Sequence, residues 1–130
     1  MIHHVEINVS NLEKSRAFYE RLFADLGYEL YQEWEEGFSY RDRETYIVFV
    51  QTDEAYREPL YHRKRVGINH LAFCLPTKVQ VDALHERLRA DDVPLLYDEF
   101  YPYAGGANHY AVFFEDPDRI KIEVVWEEVW

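Results

Sequence analysis

The feature that most constrains this chain is that it repeats itself. "IHHVEINVSNLEKSRAFYERL" (Ile2 to Leu22) aligns without a gap on "INHLAFCLPTKVQVDALHERL" (Ile68 to Leu88), at a constant offset of 66 residues, the distance from His4 to His70. Ile2 matches Ile68, His4 matches His70, Ala17 matches Ala83, and Glu20, Arg21 and Leu22 match Glu86, Arg87 and Leu88. Two copies at so long a period exclude a solenoid, whose units are short and need several neighbours. A chain of 130 residues suits one domain with its own hydrophobic core. The repeat therefore reads as two halves of a single domain, with module 1 over about 1–60 and module 2 over about 67–130.

Each half resolves into the same elements. Val5, Ile7 and Val9 alternate with His4, Glu6 and Asn8, which is the period of a half-buried strand. Ser10 with Glu13 predicts a capping box, and a helix follows with Leu12, Tyr19, Leu22, Phe23 and Leu26 on one stripe and Gly27 as its stop. In the second half Leu71, Phe73 and Leu75 echo the strand, Thr77 and Gln80 echo the cap, and Val81, Leu84 and Leu88 form the helical stripe. Short strand-like runs come after each helix: "YELYQEW", "GFSYRD" and "TYIVFVQ", then "VPLLYDEF", "NHYAVFFE" and "RIKIEVVW". Asp116-Pro117-Asp118 predicts the hairpin turn before the last of them. The expected fold is α+β, two βαβββ modules with the helices covering one face of the sheet.

Strand parity then groups the polar side chains. With Val5/Ile7/Val9 and Leu71/Phe73/Leu75 under the helices, His4 and His70 fall on the opposite face, and His3 falls with Val5. On the last strand Ile120, Ile122 and Val124 take the helix side, which turns Glu123 to the face of the two histidines. A carboxylate at the centre of an otherwise apolar strand needs a partner, and two duplicated imidazoles facing it make His4, His70 and Glu123 a candidate metal-ligand set. Cys74 shares the His70 face and reads as a small buried hydrophobe. "AGGAN" (Ala104 to Asn108) is a turn with no capped helix after it, so it is no phosphate cradle. Trp126 and Trp130, with "FYPYAGG", read as aromatics of a core or a subunit contact before those of a pocket.

The motifs "HHVEINVSNLEKSRAFYERLF", "GINHLAF" and "FFEDPDRIKIEVV" resemble the vicinal oxygen chelate superfamily, the glyoxalase/bleomycin-resistance/extradiol-dioxygenase group, over nearly the whole chain. The resemblance implies that the modules form a half-open barrel and that the first strand of each supplies a metal ligand, His4 and His70, with Glu123 from the last strand. It also implies a fourth ligand from the last strand of module 1. There, "RDRETYIVFV" laid over "EDPDRIKIEV" puts Val48 opposite Glu123, with no acid or histidine between Thr45 and Val50. That departure counts against authentic glyoxalase I. Arg119 stands where the family's turn commonly has glycine. The remaining two-histidine, one-carboxylate set suits one divalent transition metal, Fe, Mn, Zn, Ni or Co, without choosing among them.

By resemblance the chain is a divalent-metal-dependent enzyme acting on a small oxygen-bearing substrate chelated to the metal. Isomerase, lyase or thiol-transferase chemistry is expected before ring cleavage. Glu123, His109 and Tyr110 are the candidate catalytic residues, while Glu6 and Lys121 share strand faces with the ligands and are candidates to orient them or to move a proton. Small relatives often build their sites from two subunits, which implies a homodimer. The alternative is a non-catalytic sequestering protein of the bleomycin-resistance type, and a third reading is a decayed enzyme that binds metal without turnover.

Composition narrows the partners. A net charge of −11, from 14 basic and 25 acidic residues, repels phosphate backbones and argues against nucleic acid. It would suit a bulky cationic ligand in the sequestering alternative. The basic cluster His62, Arg63, Lys64, Arg65 reads as a solvated loop before an anion site. The single cysteine, Cys74, permits no internal disulfide and points to a reducing, cytoplasmic setting. Charges interrupt every apolar run, so neither a membrane span nor a signal peptide is expected.

Overall fold

The computed structural model describes residues 1–128. Trp130 lies outside them. The chain divides into two compact units, Met1–Leu60 and Tyr61–Trp130, and each contains one helix and one open, four-stranded mixed sheet.

In the first unit the order along the chain is β1 (His4–Val9), α1 (Leu12–Leu26), β2 (Glu29–Trp34), β3 (Gly37–Asp42) and β4 (Thr45–Gln51), followed by a 3₁₀ turn at Glu54–Tyr56. The sheet order is β1-β4-β3-β2, with β1 parallel to β4 and the other pairs antiparallel. Alternation sets which face is buried: Ile7 and Val9 are buried while His4, Glu6 and Asn8 are exposed. Helix α1 packs on β3 and β4. Tyr19, Leu22 and Phe23 are fully buried, and the Tyr19 ring stacks on Phe49 of β4 at 4.1 Å. Side chains of this size contribute about 1.5–3 kcal/mol each when taken out of water.

The helix start differs from the expected capping box by one residue. Asn11, not Ser10, is the N-cap, and its Oδ1 accepts from the Lys14 backbone N–H at 3.1 Å. The Leu12 N–H is taken by Gln51 Oε1 at 2.9 Å, so the end of β4 satisfies a donor that a capping box would leave to water. Gly27 closes the helix in the left-handed conformation, as its position after the apolar stripe predicts. His3 also departs from expectation. It precedes the regular strand and is exposed, its ring edge-on to Tyr46 at 5.4 Å and not under the helix.

The second unit repeats the plan with β5 (Leu71–Leu75), α2 (Lys78–Ala90), β6 (Leu95–Leu96), β7 (Ala111–Glu115) and β8 (Lys121–Trp126). Its sheet order is β5-β8-β7-β6, the same permutation as in the first unit. Thr77 caps α2 as expected, its Oγ1 accepting from the Gln80 N–H at 3.1 Å. Val81, Leu84 and Leu88 are buried against a sheet whose inner residues include Ile122 and Val124. The run "VPLLYDEF" yields only a two-residue strand, because Asp98–Phe100 forms a 3₁₀ turn drawn toward α2 by side-chain bonds. Cys74 is exposed, a correction to the buried role its parity allowed.

Candidate metal centre

The duplicated topology fixes the environment of the central carboxylate. Glu123 lies between Ala72 of β5 and Phe113 of β7 in register. It is 6% exposed even though both neighbours in the strand direction, Ile122 and Val124, point into the core on the other face. Parity thus does what the sequence predicts, presenting a buried carboxylate on the face opposite the helix.

Two imidazoles meet it. His70, immediately before β5, brings Nε2 to 3.8 Å from Glu123 Oε1. His109, two residues before β7, brings Nε2 to 3.0 Å from Glu123 Oε2. An ionised carboxylate only accepts, so the His109 Nε2–H donates. On the other side of the His70 ring, Nδ1 lies 2.8 Å from Asn69 Oδ1, a contact that orients the imidazole from behind. Lys121, on the same strand face as Glu123, donates to the Tyr97 hydroxyl at 3.3 Å and sits over the Tyr97 and Phe113 rings.

The two candidates beside the glycine pair separate. His109 goes to Glu123, whereas the Tyr110 hydroxyl donates to Asp82 of α2. Tyr101 donates to the same Asp82 oxygen. Burial first, then the bond to Asp82, raises the Tyr101 phenol above its ordinary range; for Tyr110 the Asp82 bond is the leading cause, followed by burial. In the first unit, His4 stacks face to face on its β4 neighbour Tyr46 at 4.7 Å, and its Nδ1 lies 2.8 Å from His3 Nδ1. Val48 sits between Glu6 and Ser39, the place in its sheet that Glu123 holds in the other. The departure expected at this position is therefore structural as well as sequential.

The sequence reading missed the polar network around α2. His85 is 6% exposed and its Nε2 lies 2.6 Å from Asp98 Oδ1, while Arg89 reaches Asp98 Oδ2 at 2.9 Å. The bond from His85, with a smaller contribution from Arg89, holds the Asp98 carboxyl below its ordinary range. A signal was present: His85 follows Val81 and Leu84 on the apolar stripe, and a buried imidazole requires a partner. The basic cluster resolves in part, since Arg63 is tied to the buried Glu115 at 2.8 Å.

An imidazole and a buried carboxylate are chemically suited to a divalent transition metal. Among the described residues no three His, Cys, Asp or Glu side chains are gathered as a group that could hold one. His70 and Glu123 are thus a pair of suitable donors and not a complete set.

Two units of one shared topology, each a helix and an open four-stranded mixed sheet, define the glyoxalase/dioxygenase class of fold. The chain belongs to the Glyoxalase/Bleomycin resistance protein/Dioxygenase superfamily, which it matches over residues 1–124. It is 51% identical over 124 residues to YqjT of Bacillus subtilis (strain 168), covering 95% of this chain and 97% of that one. A crystal structure of a candidate glyoxalase from Bacillus halodurans is similar at a TM-score of 0.96 and 53% identity, covering 98% of this chain and 96% of that one. Lactoylglutathione lyase from Agrobacterium tumefaciens shares the fold at a TM-score of 0.67 and 20% identity, over 100% of this chain and 96% of that one.

Proposed function

We propose that this chain is a divalent-metal-dependent enzyme acting on a small substrate through neighbouring oxygens, by isomerase, lyase or thiol-transferase chemistry. His70 and Glu123 are the ligands of module 2, and His4 is the ligand that module 1 offers. The observation that carries the reading is the buried Glu123 carboxylate with His70 Nε2 3.8 Å away. A bound metal would supply Lewis-acid stabilisation of an oxyanion on the substrate. The chain's own part is to hold the donors: Asn69 orients the His70 ring, and burial between Ala72 and Phe113 keeps water from competing for Glu123. A homodimer in the cytoplasm belongs to the same reading. The exposed β2 edge, with Leu30, Tyr31 and Trp34, favours a partner subunit, and the single cysteine favours a reducing compartment.

The test is metal analysis of protein purified without chelator or affinity-tag metal, beside His70→Ala and Glu123→Gln. About one transition metal per chain, lost in both variants, is expected. No metal, and no uptake from added Fe²⁺, Mn²⁺, Ni²⁺, Co²⁺ or Zn²⁺, would overturn the reading. The second reading, a small-molecule sequestering protein of the bleomycin-resistance type, is favoured by Val48 in place of a second carboxylate. Tight binding of a bulky cation by metal-free protein would put it first.

A further inference from the structure

The geometry points to His109 as a positioning residue, a ring seated on Gly105 that holds one oxygen of Glu123 and so fixes the direction of the other. The consequence for metal binding rests on the proposed role of Glu123 as a ligand. The latch itself does not.

Three observations converge on it. First, the two oxygens of Glu123 are divided between two partners: Oε2 accepts from His109 Nε2 at 3.0 Å, and Oε1 faces His70 Nε2 at 3.8 Å. A carboxylate held by one oxygen cannot rotate freely about its last bond, so the His109 bond determines what Oε1 presents to the His70 side.

Second, the ring lies where a side chain on Gly105 would have to be. A Cβ built at Gly105 would fall 2.6 Å from His109 Cδ2 and 3.3 Å from Cγ, and it would meet nothing else so closely. Gly105 is exposed, so its lack of a side chain is not required by core packing. What it permits is the ring's approach. The loop is folded to deliver that approach: Gly106 donates to Tyr103 O, the His109 N–H donates to Gly106 O, and Ala111 donates to Pro102 O. Gly106 has φ +135, a conformation that residues with a Cβ rarely adopt.

Third, both ends of the loop are pinned to one carboxylate. Tyr101 before it and Tyr110 after it donate to the same oxygen of Asp82 on α2. The loop therefore leaves from and returns to a fixed point on the helix. Its one histidine lies between those pins, and Phe113 stands 6.4 Å from the ring centroid on β7.

The experiment uses full-length protein and Co²⁺ as the probe. Gly105→Ala leaves the imidazole and the carboxylate chemically intact and moves only the ring, which can swing away on its own side-chain torsions. His109→Phe removes the donor, and His109→Gln supplies an amide donor in its place. Calorimetric Co²⁺ affinity should fall roughly 10–100-fold in His109→Phe, the usual loss when an outer partner of a ligand is removed. Gly105→Ala should fall similarly, and should add nothing on the His109→Phe background, because both act through one bond. His109→Gln should retain more affinity than His109→Phe. In metal-free protein, the His109 ring ¹⁵N signals should move in both Glu123→Gln and Gly105→Ala, while thermal unfolding confirms that each variant folds.

Wild-type Co²⁺ affinity in Gly105→Ala and His109→Phe would overturn the inference. If the wild type takes up no Co²⁺, the metal reading fails by itself and the ring signals decide the latch. Signals moved by both substitutions uphold it, and signals unmoved by either overturn it.

Discussion

Val48 and Glu123 hold the same station in two copies of one sheet. Val48 pairs with Glu6 on the parallel side and Ser39 on the antiparallel side, as Glu123 pairs with Ala72 and Phe113. Both are buried, at 3% and 6% exposure. Their surroundings differ in what they can compensate. Glu123 has an imidazole for each oxygen, whereas the register neighbours of Val48 include another acid, Glu6. The two sheets thus hold a carboxylate paired with imidazoles at one station and an aliphatic side chain at the equivalent station of the other.

Val48→Glu should therefore destabilise the protein by about 3 kcal/mol, the range for a buried charge left without a partner. The urea midpoint at pH 7 measures it. A variant as stable as the wild type would mean that position 48 already has a way to solvate or pair a carboxylate, and the contrast between the two stations would collapse.

Asp82 carries the base of the loop that contains His109. Because Tyr101 and Tyr110 share it, Asp82→Ala removes two hydrogen bonds and leaves two phenols to find water. Amide exchange at Gly106, His109 and Ala111, whose N–H groups bond within the loop, should speed up by about an order of magnitude or more. Unchanged exchange at those amides would show that the loop holds its shape without the helix.

How much of this was legible in the chain depends on whether a residue's role is local. Alternation marked β1 and β5 and the apolar stripes marked α1 and α2, while β3 and β4 match the strand-like runs "GFSYRD" and "TYIVFVQ" although each buries consecutive residues. Parity also brought Glu123 and His70 together, since it needs only the pleat and a parallel partner. What parity could not give was the choice between His109 and Tyr110. That choice is made by the turns after Gly105 and by Asp82, which stands 28 residues before Tyr110 in the chain. His85 and Asp98 were missed for a similar reason: the bond joining them links α2 to a 3₁₀ turn at Asp98–Phe100, inside the run "VPLLYDEF" that reads as a strand.

The His85–Asp98 bond has a pH signature with a definite sign. Asp98 has its carboxyl held low, chiefly by the bond from His85 and then by Arg89, and Glu86 is the further acid near the His85 ring at 3.7 Å. A depressed carboxyl contributes stability in full above the unfolded value, near 3.8, and loses it as pH falls through the lower folded value. The stability difference between wild type and Asp98→Asn should therefore stand at about 1 kcal/mol where the Asp98 carboxyl is ionised. It should shrink steadily below about pH 4. Urea titrations of both proteins across that range give the difference directly. A difference that grows toward acid would reverse the sign and dismiss the bond as a stabilising contact.

Arg119 supplies the last test, at the turn before β8. Asp116 Oδ1 accepts from the Asp118 and Ile120 backbone N–H groups, both at 2.8 Å, and Arg119 donates its N–H to Asp116 O at 2.9 Å. Closing the chain in this way places Arg119 at φ +66, the left-handed region, where a Cβ crowds the following carbonyl at a cost of about 1–2 kcal/mol. The side chain recovers little of that cost. Its contact to Glu115 is long, 3.4 Å, and the guanidinium side is 73% exposed. Glycine would remove the crowding but widen the unfolded ensemble, offsetting about 0.4–1 kcal/mol. The net expectation is that Arg119→Gly stabilises by about 0.5–1 kcal/mol, whereas Arg119→Ala, which keeps the Cβ, gains nothing. Paired urea midpoints of the two variants separate backbone from side chain. If alanine and glycine shift the midpoint alike, the guanidinium and not the backbone governs this turn.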